Sequence, residues 1–153
     1  KDNPEEVEEI PLKAFVEDIQ DYIVNIHPAS TIDFDFDSNT DEVVTSNLSV
    51  KHAVINIIEN AIKAAHSNVN VSFHVTTDTP ALFGISIKDD GPGIPSEVME
   101  KVGDPFISSR KESMGLGIFL ANAAIERLNG SIEMVNMKEG GALSIIRLPQ
   151  TTQ

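Results

Sequence analysis

The sequence contains no cysteine. Disulfides, thiolate catalysis and cysteine-ligated zinc are therefore all excluded. Positive charge is scarce: 11 Lys and Arg stand against 24 Asp and Glu, a formal net charge of −13. No Lys/Arg-rich block is present, so no nucleic-acid partner is expected, because neutralising a phosphate backbone needs clustered basic residues. No apolar run approaches the length of a membrane span, and the N-terminus is acidic, unlike a signal peptide. There is no internal repeat. The four histidines, His27, His52, His66 and His74, lack metal-ligand spacing, and each reads as structural or solvated.

What is present is a chain of 153 residues with 41% apolar content. That is enough for one domain with a real core and too little for two ordinary ones. Residues 1–9 open with Lys1-Asp2-Asn3-Pro4 and an acidic run to Glu9, and are expected to be a linker. Residues 10–150 are expected to form the domain and 151–153 a tail. Residues 10–12 read as an edge strand, where proline is tolerated. Residues 13–26 carry helical spacing at Phe15, Val16, Ile19, Ile23 and Ile26, ending before Pro28. Residues 31–36 alternate as a half-buried strand, and 43–45 form a short one. Asn47 or Ser49 can cap a helix to about Ala65. Residues 69–76 and 82–88 read as paired strands. A helix is expected over 115–128, closed by Asn129-Gly130. Residues 131–136 and 142–148 read as a hairpin. From residue 91 to about 113 Gly, Pro, Ser and charge dominate, apart from one turn of helix expected around 96–102, and a loop this long reads as a functional lid, over about 96–113, or as disordered.

Three short stretches carry chemistry. The first is Asp89-Asp90-Gly91-Pro92-Gly93-Ile94-Pro95, directly after the strand-like Leu82-Phe83-Gly84-Ile85-Ser86-Ile87. Its glycines allow positive φ and close approach to the backbone, and Pro92 fixes one φ. A carboxylate on such a turn is held rigidly and can accept hydrogen bonds from a ligand amine. The second is Asn56-Ile57-Ile58-Glu59-Asn60-Ala61-Ile62-Lys63. At about 100° per residue, Asn56, Asn60 and Lys63 fall on one helical stripe roughly 60° wide. Val54, Ile55, Ile58, Ala61, Ile62 and Ala65 lie opposite, facing a sheet. Two amides and an ammonium on one face suit a metal–phosphate group, and an amide oxygen is a hard ligand suited to Mg²⁺. The third is Met114-Gly115-Leu116-Gly117-Ile118, ahead of an apolar helix. Free N–H groups at a helix start suit phosphate oxygens. It completes neither a Rossmann nor a P-loop pattern, because Leu120 stands where the third Gly of the former belongs.

In this order and spacing, Asn-x-x-x-Asn-Ala-x-x-Lys, Asp-x-Gly-x-Gly and Gly-Leu-Gly resemble the N, G1 and G2 boxes of the ATP-binding domain of sensor histidine kinases. These belong to the wider Bergerat-fold family, with DNA gyrase, the Hsp90 chaperone and MutL. The resemblance runs from about Ile10 to Pro149. It implies a two-layer α/β sandwich, with one mixed, mostly antiparallel sheet and helices on one face. It implies ATP and Mg²⁺, with Asn60 as the metal ligand, Asn56 assisting and Lys63 on the phosphates. It assigns Asp89 to the adenine amino group, Gly91, Gly93 and Ile94 to the wall beside the base, and Gly115, Leu116 and Gly117 to the phosphates. Asp90 occupies a variable position and is expected to be solvated. Residues 103–110, Gly103-Asp104-Pro105-Phe106-Ile107-Ser108-Ser109-Arg110, resemble the F box, with Phe106 closing over nucleotide or partner and Arg110 reaching a phosphate. That stretch is closest to the RegB/PrrB-like branch. Gly140-Gly141 matches the family's final glycine pair and reads as a turn.

The resemblance also implies partners. These are a helical dimerisation and phosphoacceptor domain of the same protein, a response regulator, and a second copy of a membrane-anchored parent whose catalytic portion is cytoplasmic. A hydrolysing ATPase of the gyrase or Hsp90 kind needs a glutamate one turn before the metal ligand. Asn56 stands there and cannot take a proton, while Glu59 points about 100° off Asn60. An anti-sigma-type serine kinase or a nucleotide-dependent interaction module remains as a third alternative.

Overall fold

The computed structural model describes residues 3–76, 79–93 and 112–150. Among the described residues ten elements follow one another: β1 (Glu8–Pro11), α1 (Leu12–Ile26), β2 (Ile32–Asp35), β3 (Val43–Ser46), α2 (Leu48–Ala64), β4 (Val69–Val75), β5 (Leu82–Asp89), α3 (Glu112–Glu126), β6 (Ser131–Asn136) and β7 (Ala142–Pro149). Five strands form a sheet in the order β2-β4-β5-β7-β6. β2 runs parallel to β4, and the other pairs are antiparallel.

Alternation along each strand builds the core. Val69, Val71 and Phe73 of β4, Phe83, Ile85 and Ile87 of β5, and Ile146 and Leu148 of β7 are buried on one face. Against it α1 lays Phe15, Val16, Ile19 and Ile23, four of the five residues its helical spacing singled out; the fifth, Ile26, is the last residue of the helix and is exposed. Phe15 meets Phe83 edge-on at 5.3 Å between ring centroids. α2 buries Val50, Ala53, Val54, Ile57 and Ile58. Its start is fixed by Asn47, whose side chain accepts from the Val50 N–H at 2.8 Å and satisfies one of the orphan donors of the first turn. α3 closes with Asn129 at φ 63, and the Gly130 N–H returns to the Ile125 carbonyl at 3.0 Å, which satisfies a terminal carbonyl of the helix.

Three boundaries differ from the sequence reading. β1 and β3 form a separate two-stranded antiparallel sheet, with Glu8 opposite Ser46 and Glu9 opposite Thr45. Among the described residues there are therefore two sheets, the mixed five-stranded one and this pair. The acidic start is also not a free linker: Ser49 N–H donates to the Pro4 carbonyl at 3.0 Å, and the Asn47 amide donates to Glu5 O at 3.2 Å. These residues stay exposed, but backbone hydrogen bonds, which any side chain permits, tie them to the domain. Finally, α3 begins at Glu112, three residues before Gly115. The stretch 96–113 otherwise lies almost wholly outside the described residues.

Candidate nucleotide site

Asp89 ends β5 on its inner face and is 6% exposed. Its Oδ1 accepts from the Gly91 N–H at 2.9 Å, so the turn that follows the strand fixes the carboxylate. Two close approaches hold that turn. A Cβ on Gly91 would stand 2.1 Å from the carbonyl oxygen of Ala64 at the end of α2. A Cβ on Gly141, at φ +89, would stand 2.0 Å from the carbonyl oxygen of Asp89 itself. Gly141 is thus more than a turn residue: it lets the β6–β7 hairpin close onto the backbone of Asp89. Gly93, at φ +96, lies against Asn136, 2.8 Å from the position of a Cβ to its Oδ1.

Asp89 and Asn60 line one pocket together with Ile57, Ala61, Ala64, Gly93, Ile118, Met134, Ala142 and Ser144. Its volume is about 30 Å³, space on the order of one water. A base entering it must push the walls apart, and Met134, an unbranched and adaptable side chain, is the wall best suited to yield. The sequence pattern missed Met134, Ala142 and Ser144. Ser144 is 8% exposed on the inner face of β7, and a hydroxyl at an inward position of an otherwise apolar alternation is the signal that marks it.

The polar stripe of α2 divides on folding. Asn60 reaches the pocket, and its Nδ2 is buried with no hydrogen-bond partner among the described residues. Gly117 of α3 passes close by, and a Cβ there would stand 3.9 Å from that nitrogen. Asn56 lies one turn back and lines an open groove with Asp18, Tyr22, Lys51, His52, Ile55 and Glu59. Lys63 is exposed in the last turn of the helix, where a cation complements the helix dipole. The carboxylate of Glu59 is engaged by His27 Nε2 at 2.9 Å. Gly115, Leu116 and Gly117 fall inside α3 rather than before it. Its first-turn N–H groups therefore belong to residues from Glu112 to Met114. The reason is local: Glu, Ser and Met extend a helix backwards at little cost, and glycine interrupts one by only about 1 kcal/mol. Ile94, Phe106 and Arg110 lie outside the described residues.

Asp90 is exposed yet far from merely solvated. Its Oδ1 accepts from the backbone N–H groups of His66, Ser67 and Asn68 at 2.9, 3.0 and 3.1 Å. Its Oδ2 accepts from Ser67 Oγ at 2.6 Å. The Ser67 hydroxyl, then the backbone N–H groups of Ser67, Asn68 and His66, hold its carboxyl well below the usual carboxylate range. A lowered folded-state pKa contributes stability that is complete above the unfolded value and is lost as pH falls toward the folded one. Asp90→Asn should therefore flatten the decline of the melting temperature below about pH 4. An unchanged acid decline in paired melts at pH 7 and pH 3 would refute it.

The donor set fits Mg²⁺ in the manner of a phosphate-borne metal. Among the described residues no group of three His, Asp or Glu can hold a metal. A single carboxamide oxygen suits an ion that keeps its waters and takes phosphate oxygens, while the unsatisfied Asn60 Nδ2 is a donor that cannot ligate a metal and suits an anion oxygen instead.

A mixed sheet under helices, with a buried carboxylate and a helix amide lining one small pocket, makes an α/β sandwich with a polar pocket between its layers. The chain belongs to the histidine kinase-, DNA gyrase B-, and HSP90-like ATPase family, whose model matches residues 45–152. Among curated relatives, the sensor histidine kinase RegB of Cereibacter sphaeroides is 34% identical over 105 residues, 61% of this chain and 22% of that protein. Sporulation kinase A of Bacillus subtilis (strain 168) is 30% identical over 101 residues, 66% of this chain and 16% of that protein. The chain thus spans about a fifth of the length of these relatives. The catalytic domain of the histidine kinase ThkA, in a nucleotide-free form, superposes with a TM-score of 0.76 at 26% identity, covering 96% of this chain and 99% of that one. The fold is therefore that of a histidine kinase catalytic domain. Among the described residues no helix is long and apolar enough to cross a membrane.

Proposed function

We propose that this chain is the catalytic ATP-binding domain of a two-component sensor histidine kinase, presenting ATP with Mg²⁺ to a histidine on a separate helical domain. The observation that carries this is the pairing, in one pocket, of Asp89 and the unsatisfied amide of Asn60. A carboxylate only accepts hydrogen bonds, so Asp89 suits the adenine amino group and rejects the guanine carbonyl. Asn60 holds the metal by its amide oxygen, while its nitrogen is left to donate to a phosphate. Lys63 and the first-turn N–H groups of α3 meet the phosphates. Mg²⁺ bound there supplies charge neutralisation at the transferring phosphoryl group.

Among the described residues, no glutamate stands one turn before Asn60 to take a proton from water. Asn56 is an amide in the outer groove, and Glu59 is tied to His27. This supports transfer to an acceptor on another domain over hydrolysis. The domain works by positioning and charge stabilisation. In the same reading, a response regulator receives the phosphoryl group from that histidine, and the parent is a dimeric, membrane-anchored sensor whose catalytic part faces the cytoplasm.

A non-hydrolysable ATP analogue with Mg²⁺ should raise the melting temperature by several degrees, since a ligand at about 100 times its Kd adds roughly 2.7 kcal/mol. The GTP counterpart should shift it far less, and Asp89→Asn should erase the difference. Equal shifts for both nucleotides on the unaltered chain would remove the role given to Asp89.

A further inference from the structure

We infer that Asp90 is a positioning residue that locks the adenine-reading carboxylate of Asp89 to the metal-bearing helix α2. This rests on the reading of the pocket as an ATP site. Asp89 and Asn60 come from different elements, and their relative placement decides whether one nucleotide satisfies both. α2 ends at Ala64, and the chain reaches β4 through His66, Ser67 and Asn68. Those three residues offer consecutive N–H groups that no helix or ladder consumes, and Asp90 takes all three on one oxygen and the Ser67 hydroxyl on the other. One residue back, Asp89 is the base-reading group. One residue on, Gly91 rests on the Ala64 carbonyl and donates to Asp89 Oδ1. The end of β5 is thus fastened to the end of α2 from both sides of Asp90.

The connection is polar and exposed, so its contribution to global stability is modest. Its geometric consequence is larger. Without it the β5 turn keeps the Gly91 contact with the end of α2 but loses four hydrogen bonds to the segment that follows that helix, and the direction of Asp89 relative to α2 is less firmly set. Lys88 and Glu139 line the same outer groove as Asp90. Neither occupies the place of its oxygens at the three N–H groups.

The test uses the 153-residue chain and reads Kd for ATP and GTP analogues with Mg²⁺ by calorimetry. Asp90→Ala should weaken ATP binding about tenfold, the lower end of what is lost when the group orienting a ligating side chain is removed. GTP binding should change little, so that discrimination falls. Asp90→Asn can present its oxygen to the three N–H groups and its amide to Ser67 Oγ. It should bind ATP within about twofold of the unaltered chain. Asp90→Glu keeps the charge but misplaces the oxygens by one methylene, and should behave like the alanine variant. It also serves if Asp90→Ala fails to fold. Unchanged ATP/GTP discrimination in both Asp90→Ala and Asp90→Glu overturns the inference, as does an Asp90→Asn variant as weak as Asp90→Ala. Absence of ATP binding by the unaltered chain overturns the reading of the pocket itself, and the inference with it.

Discussion

A Gly141→Ala variant is expected to lose most of its stability and its adenine binding together. The added methyl would meet the carbonyl oxygen of Asp89 at 2.0 Å, at a φ of +89 that side chains rarely adopt. Neither partner can retreat, because both are backbone within the sheet end that carries the site. A destabilisation above about 3 kcal/mol follows, in the range that backbone strain at a special φ reaches when a hard contact adds to it. For a chain of this size that is a fall of roughly 6–12 °C in melting temperature. Gly140 supplies the control. It too has positive φ, at +106, but nothing lies within 4 Å of a Cβ there. Gly140→Ala should show the strain alone, about 1–3 kcal/mol, with nucleotide affinity intact. Equal melting temperatures for the two variants would show that the Asp89 contact does not constrain the hairpin.

Asn60→Ala is expected to separate function from stability. On the proposed function, phosphotransfer in a longer protein that includes a phosphoacceptor domain should fall on the order of 100-fold or more, since Asn60 would be the metal-holding group at the reacting phosphate. Binding of ATP with Mg²⁺ should weaken more than binding without it, because the adenine contact at Asp89 survives. The ligand-free domain should melt no lower than before. Its Asn60 Nδ2 is buried with no partner among the described residues, and such a group costs about 1–3 kcal/mol, which alanine removes. The amide is therefore retained against stability, as functional groups often are. A melting temperature more than about 4 °C below the parent, a loss on the order of 1 kcal/mol, would show that the amide supports packing rather than ligand. Unchanged phosphotransfer would reduce it to a polar wall residue.

Much of the helical layer was legible because its signals are local. Apolar spacing from Phe15 to Ile26 marked α1, and of the two caps the sequence offered for α2, Asn47 and Ser49, the structure uses Asn47, a cap that acts on an N–H three residues away. The alternation of β4, β5 and β7 showed which face is buried. The β1–β3 sheet was less legible. Its acidic partner strand has no periodicity, and its pairing depends on a segment more than thirty positions along the chain. The start of α3 was misplaced because glycine suggested a boundary where helix propensity merely dips.

The sequence by itself determined which chemical groups are available and in what order: a carboxylate on a Gly-Pro-Gly turn, two amides four residues apart, and a Gly-Leu-Gly stretch at the head of an apolar segment. Their order carried the family, because motif chemistry is written in short stretches. The tertiary structure alone decided how those groups divide. Asn60 went to the pocket and Asn56 to an outer groove, although both share one helical stripe. Helical periodicity reports the direction a residue faces on its own element, but not which neighbour crosses there. Asp90 became a fastener and Gly141 a point of contact with Asp89 for the same reason. Their partners lie 23 and 52 positions away in the chain: packing of the sheet end against the end of α2 brings Asp90 to its donors, and β5–β7 pairing brings Gly141 to Asp89.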